Sequence, residues 1–126
     1  MSFIRIAAST ACIIVAASPA LAGDPSGLWM RGDGNAQVRI AQCGSDFCAV
    51  NTWIGDTSGG EAVGDRLIMS VSPASETTLR GSAFDPQRDM TFSVEIEVGD
   101  SSLVSRGCIV GGLLCRSVRW TRIATN

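Results

Sequence analysis

A two-residue rhythm of apolar and polar side chains runs through most of the chain. Phe92, Val94, Ile96 and Val98 alternate with Thr91, Ser93, Glu95 and Glu97, the pattern of a strand with one buried and one wetted face. Val38 and Ile40 alternate with Gln37 and Arg39. Leu67, Met69 and Val71 form a third row, blurred by Ile68, and Leu114, Val118 and Trp120 share a face opposite Ser117, Arg119 and Thr121. Turn residues punctuate these rows. Asp33-Gly34 is a hairpin signal, and Asp85-Pro86 suits the first two positions of a type I turn. Gly99-Asp100-Ser101-Ser102 and Gly111-Gly112 close later hairpins, and Pro73 ends the third row.

The pattern predicts eight strands, at 28–31, 36–43, 48–54, 65–72, 77–84, 90–98, 103–109 and 113–123. No segment from residue 23 on reads as an amphipathic helix, and no repeat or linker divides it. The expected fold class is all-β, an antiparallel sandwich or barrel. Eight up-and-down strands leave two long edges exposed unless the sheet closes on itself, so a small eight-stranded barrel is the preferred architecture. Its interior is either filled by side chains or holds one small ligand, and strands this short point to a filled or nearly filled one.

The first 22 residues break the rhythm. Arg5, the apolar stretch Ile6–Ala17 and the small-x-small site Ala20-Leu21-Ala22 read as a signal peptide cut after Ala22. A membrane anchor needs about 20 apolar residues, and this run is shorter. Position 23 is Gly, not the cysteine of a lipoprotein. The expectation is residues 1–22 as leader and 23–126 as one barrel domain, periplasmic or secreted, with no membrane span after cleavage.

Composition narrows the chemistry. The chain has 126 residues, no histidine, and 10 basic against 12 acidic residues, and every base is arginine. Missing histidine removes the usual general base and the commonest metal ligand. Missing lysine excludes Schiff-base catalysis by this chain, and the acidic balance disfavours nucleic acid. No catalytic residue, cofactor or metal is read from the sequence.

Four of the five cysteines follow the leader, as Cys43 with Cys48 and Cys108 with Cys115. Export implies disulfides. Four cysteines allow three connectivities, and local geometry favours the two short pairs, because a hairpin about each intervening turn sets its cysteines opposite each other. Such loops stabilise by roughly 2 to 2.5 kcal/mol each in the chain-entropy model. A four-cysteine zinc site is the rival, opposed by the wide spacings and the compartment.

Gly27-Leu28-Trp29 on the first strand and Trp120-Thr121-Arg122 on the last become neighbours if the barrel closes. The Trp29 ring then packs beneath the Arg122 guanidinium, a contact worth about 0.5–2 kcal/mol. Gly27, Trp29, Trp120 and Arg122 are the expected barrel-closing residues, and they resemble the Gly-x-Trp and C-terminal arginine of lipocalin-like barrels. Together with Cys43 through Cys48, Gly81-Ser82-Ala83-Phe84-Asp85-Pro86 and Arg106-Gly107-Cys108, they resemble, nearly end to end, the exported bacterial proteins of domain of unknown function 2147. That resemblance implies a small lipocalin-like β-barrel without an established activity. The chain departs from the family at Ala49, Asp89 and Phe92, where the family has Gly, Gly and Tyr.

Other polar groups have structural readings first. Asp85 is expected to cap its turn. Glu95 and Glu97 mark a solvated outer face, and the Gly55–Gly60 loop lacks the Lys-Ser/Thr ending of a P-loop. Trp53, out of phase with Val50 and Ile54, is expected to be exposed near that loop, so Trp53, Asp56 and Asp85 are candidate contact residues. The expected function is non-catalytic binding of a small apolar or lipid-like ligand. The alternative is a cell-envelope module that binds a protein through the loop or outer face.

Overall fold

In the computed structural model, which describes residues 7–13 and 23–125, eight antiparallel strands close into one barrel in sequence order. They are β1 (Gly27–Arg31), β2 (Ala36–Cys43), β3 (Asp46–Ile54), β4 (Arg66–Pro73), β5 (Thr78–Asp85), β6 (Met90–Val98), β7 (Ser102–Ile109) and β8 (Leu114–Ala124). Each lies within two residues of its predicted span, because period-two patterning and turn chemistry agree along the chain. The proposed leader falls mostly outside the described residues. Its described part, 7–13, is exposed and without regular structure, and no helix among the described residues is long and apolar enough to cross a membrane.

The alternation decides what faces inward. Trp29, Val38, Ile40, Met69, Leu79, Ala83, Val94, Ile96, Val98 and Leu103 form one buried cluster. The cross-strand register keeps the inner row continuous: Met69 pairs with Ala83 and Ala83 with Phe92, while Val94 pairs with Gly107. Glu95 and Glu97 lie opposite Arg106 and Val104 on the outer face.

One irregularity changes the phase of β3. Gln37 pairs with Trp53 but Val38 pairs with Asn51, leaving Thr52 as an extra residue. Before this bulge Ala49 packs on the core while Val50 pairs with Arg39 and Arg66 on the outside. After it, Ile54 is buried and Trp53 is exposed. Simple alternation puts Val50 and Ile54 on one face; the bulge separates them.

The two ends differ. One is formed by residues 23–26 and the β2–β3, β4–β5 and β6–β7 turns. There Pro25 and Trp29 are fully buried, and the Gly23 N–H donates to Glu76 O. The other carries the β1–β2, β3–β4, β5–β6 and β7–β8 connections and is open. β1 is only five residues long, so β8 meets it from Trp120 onward, with the Gly32 N–H donating to Arg119 O.

Candidate functional site

The closed end is built on three predicted residues. Trp29 stacks under Arg122, whose guanidinium carbon lies 4.2 Å from the ring centroid. The indole Nε1–H donates to Pro25 O at 2.9 Å, so its one polar group is satisfied although fully buried. Arg122 donates from Nη1 to Ser26 O at 2.7 Å and from Nε to Asp100 O at 3.0 Å. It therefore ties the N-terminal segment and the β6–β7 turn to the last strand. Gly27 has a reason to be glycine: its φ is +147°, and a Cβ there would lie 2.6 Å from Arg122 Nη1. Trp120, grouped with these residues by sequence, stands apart from the stack. It sits one inward position further along β8, opposite Leu103, and donates to Ser105 Oγ at 3.0 Å.

Above this floor the interior is hollow, which corrects the expectation of a filled barrel. A cavity of about 590 Å³ opens at the end opposite Arg122. Trp29 and Ile96 contribute to its deep wall, and Ala49, Phe92, Gly107 and Trp120 to its middle. Small inward residues explain the space. Ala49, Ser105 and Gly107 line it at inner positions where eight short strands need bulk to fill the cylinder. At Gly107 a Cβ would approach the Phe92 ring to 3.0 Å, so the glycine sets where that ring stands.

The mouth is charged. Arg31 donates to Glu61 from Nη1 and Nη2 and also donates to Asp33 from Nε at 3.0 Å. The Arg31 hydrogen bonds hold the carboxyls of Glu61 and Asp33 below their ordinary values and push Arg31 up. At Asp85, partial burial pushes the carboxyl up, but hydrogen bonds from Arg88 and Gln87 outweigh it and leave the net shift downward. Arg88 Nη1 approaches Asp85 Oδ2 to 2.9 Å, and the N–H groups of Gln87 and Arg88 donate to Oδ1. Asp85 is thus both a turn cap, as its place before Pro86 suggests, and part of the cavity rim. The backbone N–H of Ser58 holds the exposed Asp56 carboxyl below its ordinary value.

Not all candidate contact residues meet. Trp53 is 43% exposed and lies beside Gly55, next to Asp56 but outside the cavity lining. Asp85 belongs to the mouth. Sequence reasoning missed Arg31, Glu61, Arg88 and Arg116, the charges that frame the opening. Arg116 was legible: it shares the parity of Leu114, Val118 and Trp120, a charge in an inward apolar row.

Both cysteine pairs are disulfides, Cys43–Cys48 and Cys108–Cys115. Cys108 sits opposite Cys115. The first bond is diagonal, because Cys43 pairs with Asp46 and Cys48 with Ala41. No group of three or more metal-ligating side chains is gathered among the described residues.

Comparison with curated proteins and with solved structures finds no match. A family model does match, over residues 27–122, from the glycine that begins β1 to the arginine over Trp29. The chain belongs to the family described as "uncharacterized protein conserved in bacteria (DUF2147)", and its eight-stranded barrel carries that family's model over nearly the whole domain.

Proposed function

We propose that this protein is an exported, non-catalytic barrel that binds one small apolar or lipid-like molecule in its open interior. The observation that carries the reading is the cavity of about 590 Å³, walled by apolar side chains and rimmed by ion pairs. A site of this size lies within the range of small-molecule pockets. Two of the mouth arginines are neutralised by carboxylates, Arg31 by Glu61 and Arg88 by Asp85, and the sulfur chemistry of two disulfides suits an oxidising compartment.

Anilinonaphthalene sulfonate, a small aromatic probe whose emission rises in apolar surroundings, tests the reading. The wild-type barrel is expected to bind it saturably at one site. Ala49→Phe, which sets a ring into the cavity, should weaken that binding at least tenfold while the far-ultraviolet circular dichroism stays unchanged. Mass spectrometry of an organic extract of natively purified protein then identifies the resident molecule. Equal probe binding by a folded Ala49→Phe protein overturns the proposal. In that case the exposed Trp53 and its loop become the surface to test against envelope proteins.

A further inference from the structure

The β7–β8 ribbon ends in a feature that cavity binding uses only in part, since Ile109 and Leu114 line the mouth but Val110 and Leu113 do not. Its tip exposes four aliphatic side chains in succession around the turn: Ile109 is 39%, Val110 63%, Leu113 81% and Leu114 60% exposed. Isolated surface aliphatics are ordinary, whereas a contiguous cluster on a projecting turn marks an interaction site. The Cys108–Cys115 disulfide clamps the ribbon directly behind the tip, and Gly111 and Gly112 both take positive φ. Order at the tip is therefore supplied by the covalent clamp and turn, without burial of the tip side chains.

The ribbon behind the cluster carries basic charge alone. All 12 acidic residues of the chain lie at or before Asp100, while Arg106, Arg116, Arg119 and Arg122 lie after it. Arg122 is committed to Trp29 at the closed end. Arg106, Arg116 and Arg119 make no ion pair among the described residues. Arg116 is two residues behind Leu114 and Arg106 three behind Ile109. At about 3.3 Å per residue this is roughly 7 and 10 Å from the tip. Two arginines at that depth behind an aliphatic tip, Arg116 on the cavity face of the ribbon and Arg106 on its outer face, match the boundary between acyl chains and headgroups, where an interfacial element buries roughly 5–10 Å.

From these observations we infer that the β7–β8 tip docks the barrel on an anionic phospholipid surface. Ile109, Val110, Leu113 and Leu114 enter the acyl boundary, and Arg106 and Arg116 contact the phosphates. The chain is acidic overall, so the surface is recognised by this ribbon and not by net charge. Arg116 and Leu114 also line the cavity mouth, beside Glu61, Asp65 and Asp85, so the opening lies next to the docked ribbon. The docking inference does not depend on the cavity holding a ligand.

Vesicle co-sedimentation tests it, using the protein from residue 23 on with its disulfides formed. Binding is expected to vesicles of phosphatidylethanolamine with phosphatidylglycerol, to weaken in high salt, and to be poor on phosphatidylcholine alone. Leu113→Ser with Val110→Ser should weaken it at least tenfold, and Arg106→Gln with Arg116→Gln by about 25-fold, at roughly fivefold per arginine. Arg80→Gln, the loss of one arginine charge on β5, should leave it unaltered, whereas Arg106→Gln or Arg116→Gln alone should weaken it roughly fivefold. Circular dichroism and thermal unfolding establish that each variant is folded, and the exposed tip positions make that outcome expected. Absence of vesicle binding by the wild type overturns the inference and leaves the tip as a protein contact. Full binding by the folded serine variant, or equal loss with Arg80→Gln, overturns it as well. Probe binding in the cavity, measured on the same serine variant, should be unchanged, so the two readings fail separately.

Discussion

Asp89 takes a φ of 52° after the Asp85-Pro86 turn, a conformation that costs a residue with a Cβ more than it costs glycine. The side chain receives nothing in return among the described residues: neither a hydrogen bond nor an ion pair holds it. Asp89→Gly should therefore raise stability by about 0.5 kcal/mol, the relieved strain exceeding the added freedom of the unfolded chain. Chemical denaturation would register the gain, and a loss of stability would show that the side chain matters. Nearby, Asp85 and the Glu61 and Asp33 carboxyls bound to Arg31 are all held below their ordinary values. The folded state thus favours their ionised forms. Their stabilisation is complete above the unfolded values, about 4.5 for Glu61 and 3.8 for the aspartates, and is lost as pH falls through the lower folded values. Melting temperature should be flat at neutral pH and fall progressively below about pH 4.5. Asp85→Asn should make that acid decline shallower, and an unchanged slope would count against this account of the mouth.

Among the elements, the β2–β3 hairpin offers the clearest energetic test. Its disulfide closes a separation of 5 residues, for which the chain-entropy model gives about 2 kcal/mol. Cys43→Ser with Cys48→Ser should lower the melting temperature by roughly 10 °C in a domain of this size, without unfolding it at room temperature. A drop of a degree or less would mean that the hairpin holds through its ladder alone. The strands themselves were legible because each inner row repeats every second residue and each boundary carries a turn signal. The bulge at Thr52 was not, since one added residue leaves composition and alternation nearly intact and shows only in the pairing of Gln37 and Val38. The stack of Trp29 under Arg122 could be read from the two motifs once closure was assumed. The hollow interior could not, because it results from Ala49 on β3 and Ser105 and Gly107 on β7 facing one space, a coincidence between strands that no single strand displays. The mouth was illegible for a related reason: Arg31 and Glu61 lie 30 residues apart, on opposite sides of two intervening strands.

At the scale of the whole molecule, the ring is sealed by contacts between its first and last segments. Arg122 reaches back 96 residues to the Ser26 carbonyl, so the long-range loop must be closed before the seam returns any stabilisation. Arg122→Ala removes the cation–π contact and three carbonyl hydrogen bonds. It should cost about 2–4 kcal/mol and slow refolding, because the seam would have less to hold it shut. Stopped-flow tryptophan fluorescence would follow the step through Trp29. An unaltered refolding rate would place closure after the rate-limiting barrier. A polypeptide emerging with its amino end first owns seven ribbons and no cylinder until the eighth arrives. Its greasy rows stay unsheltered for the length of synthesis, and so the chain remains threadable through a narrow pore up to its final dozen residues.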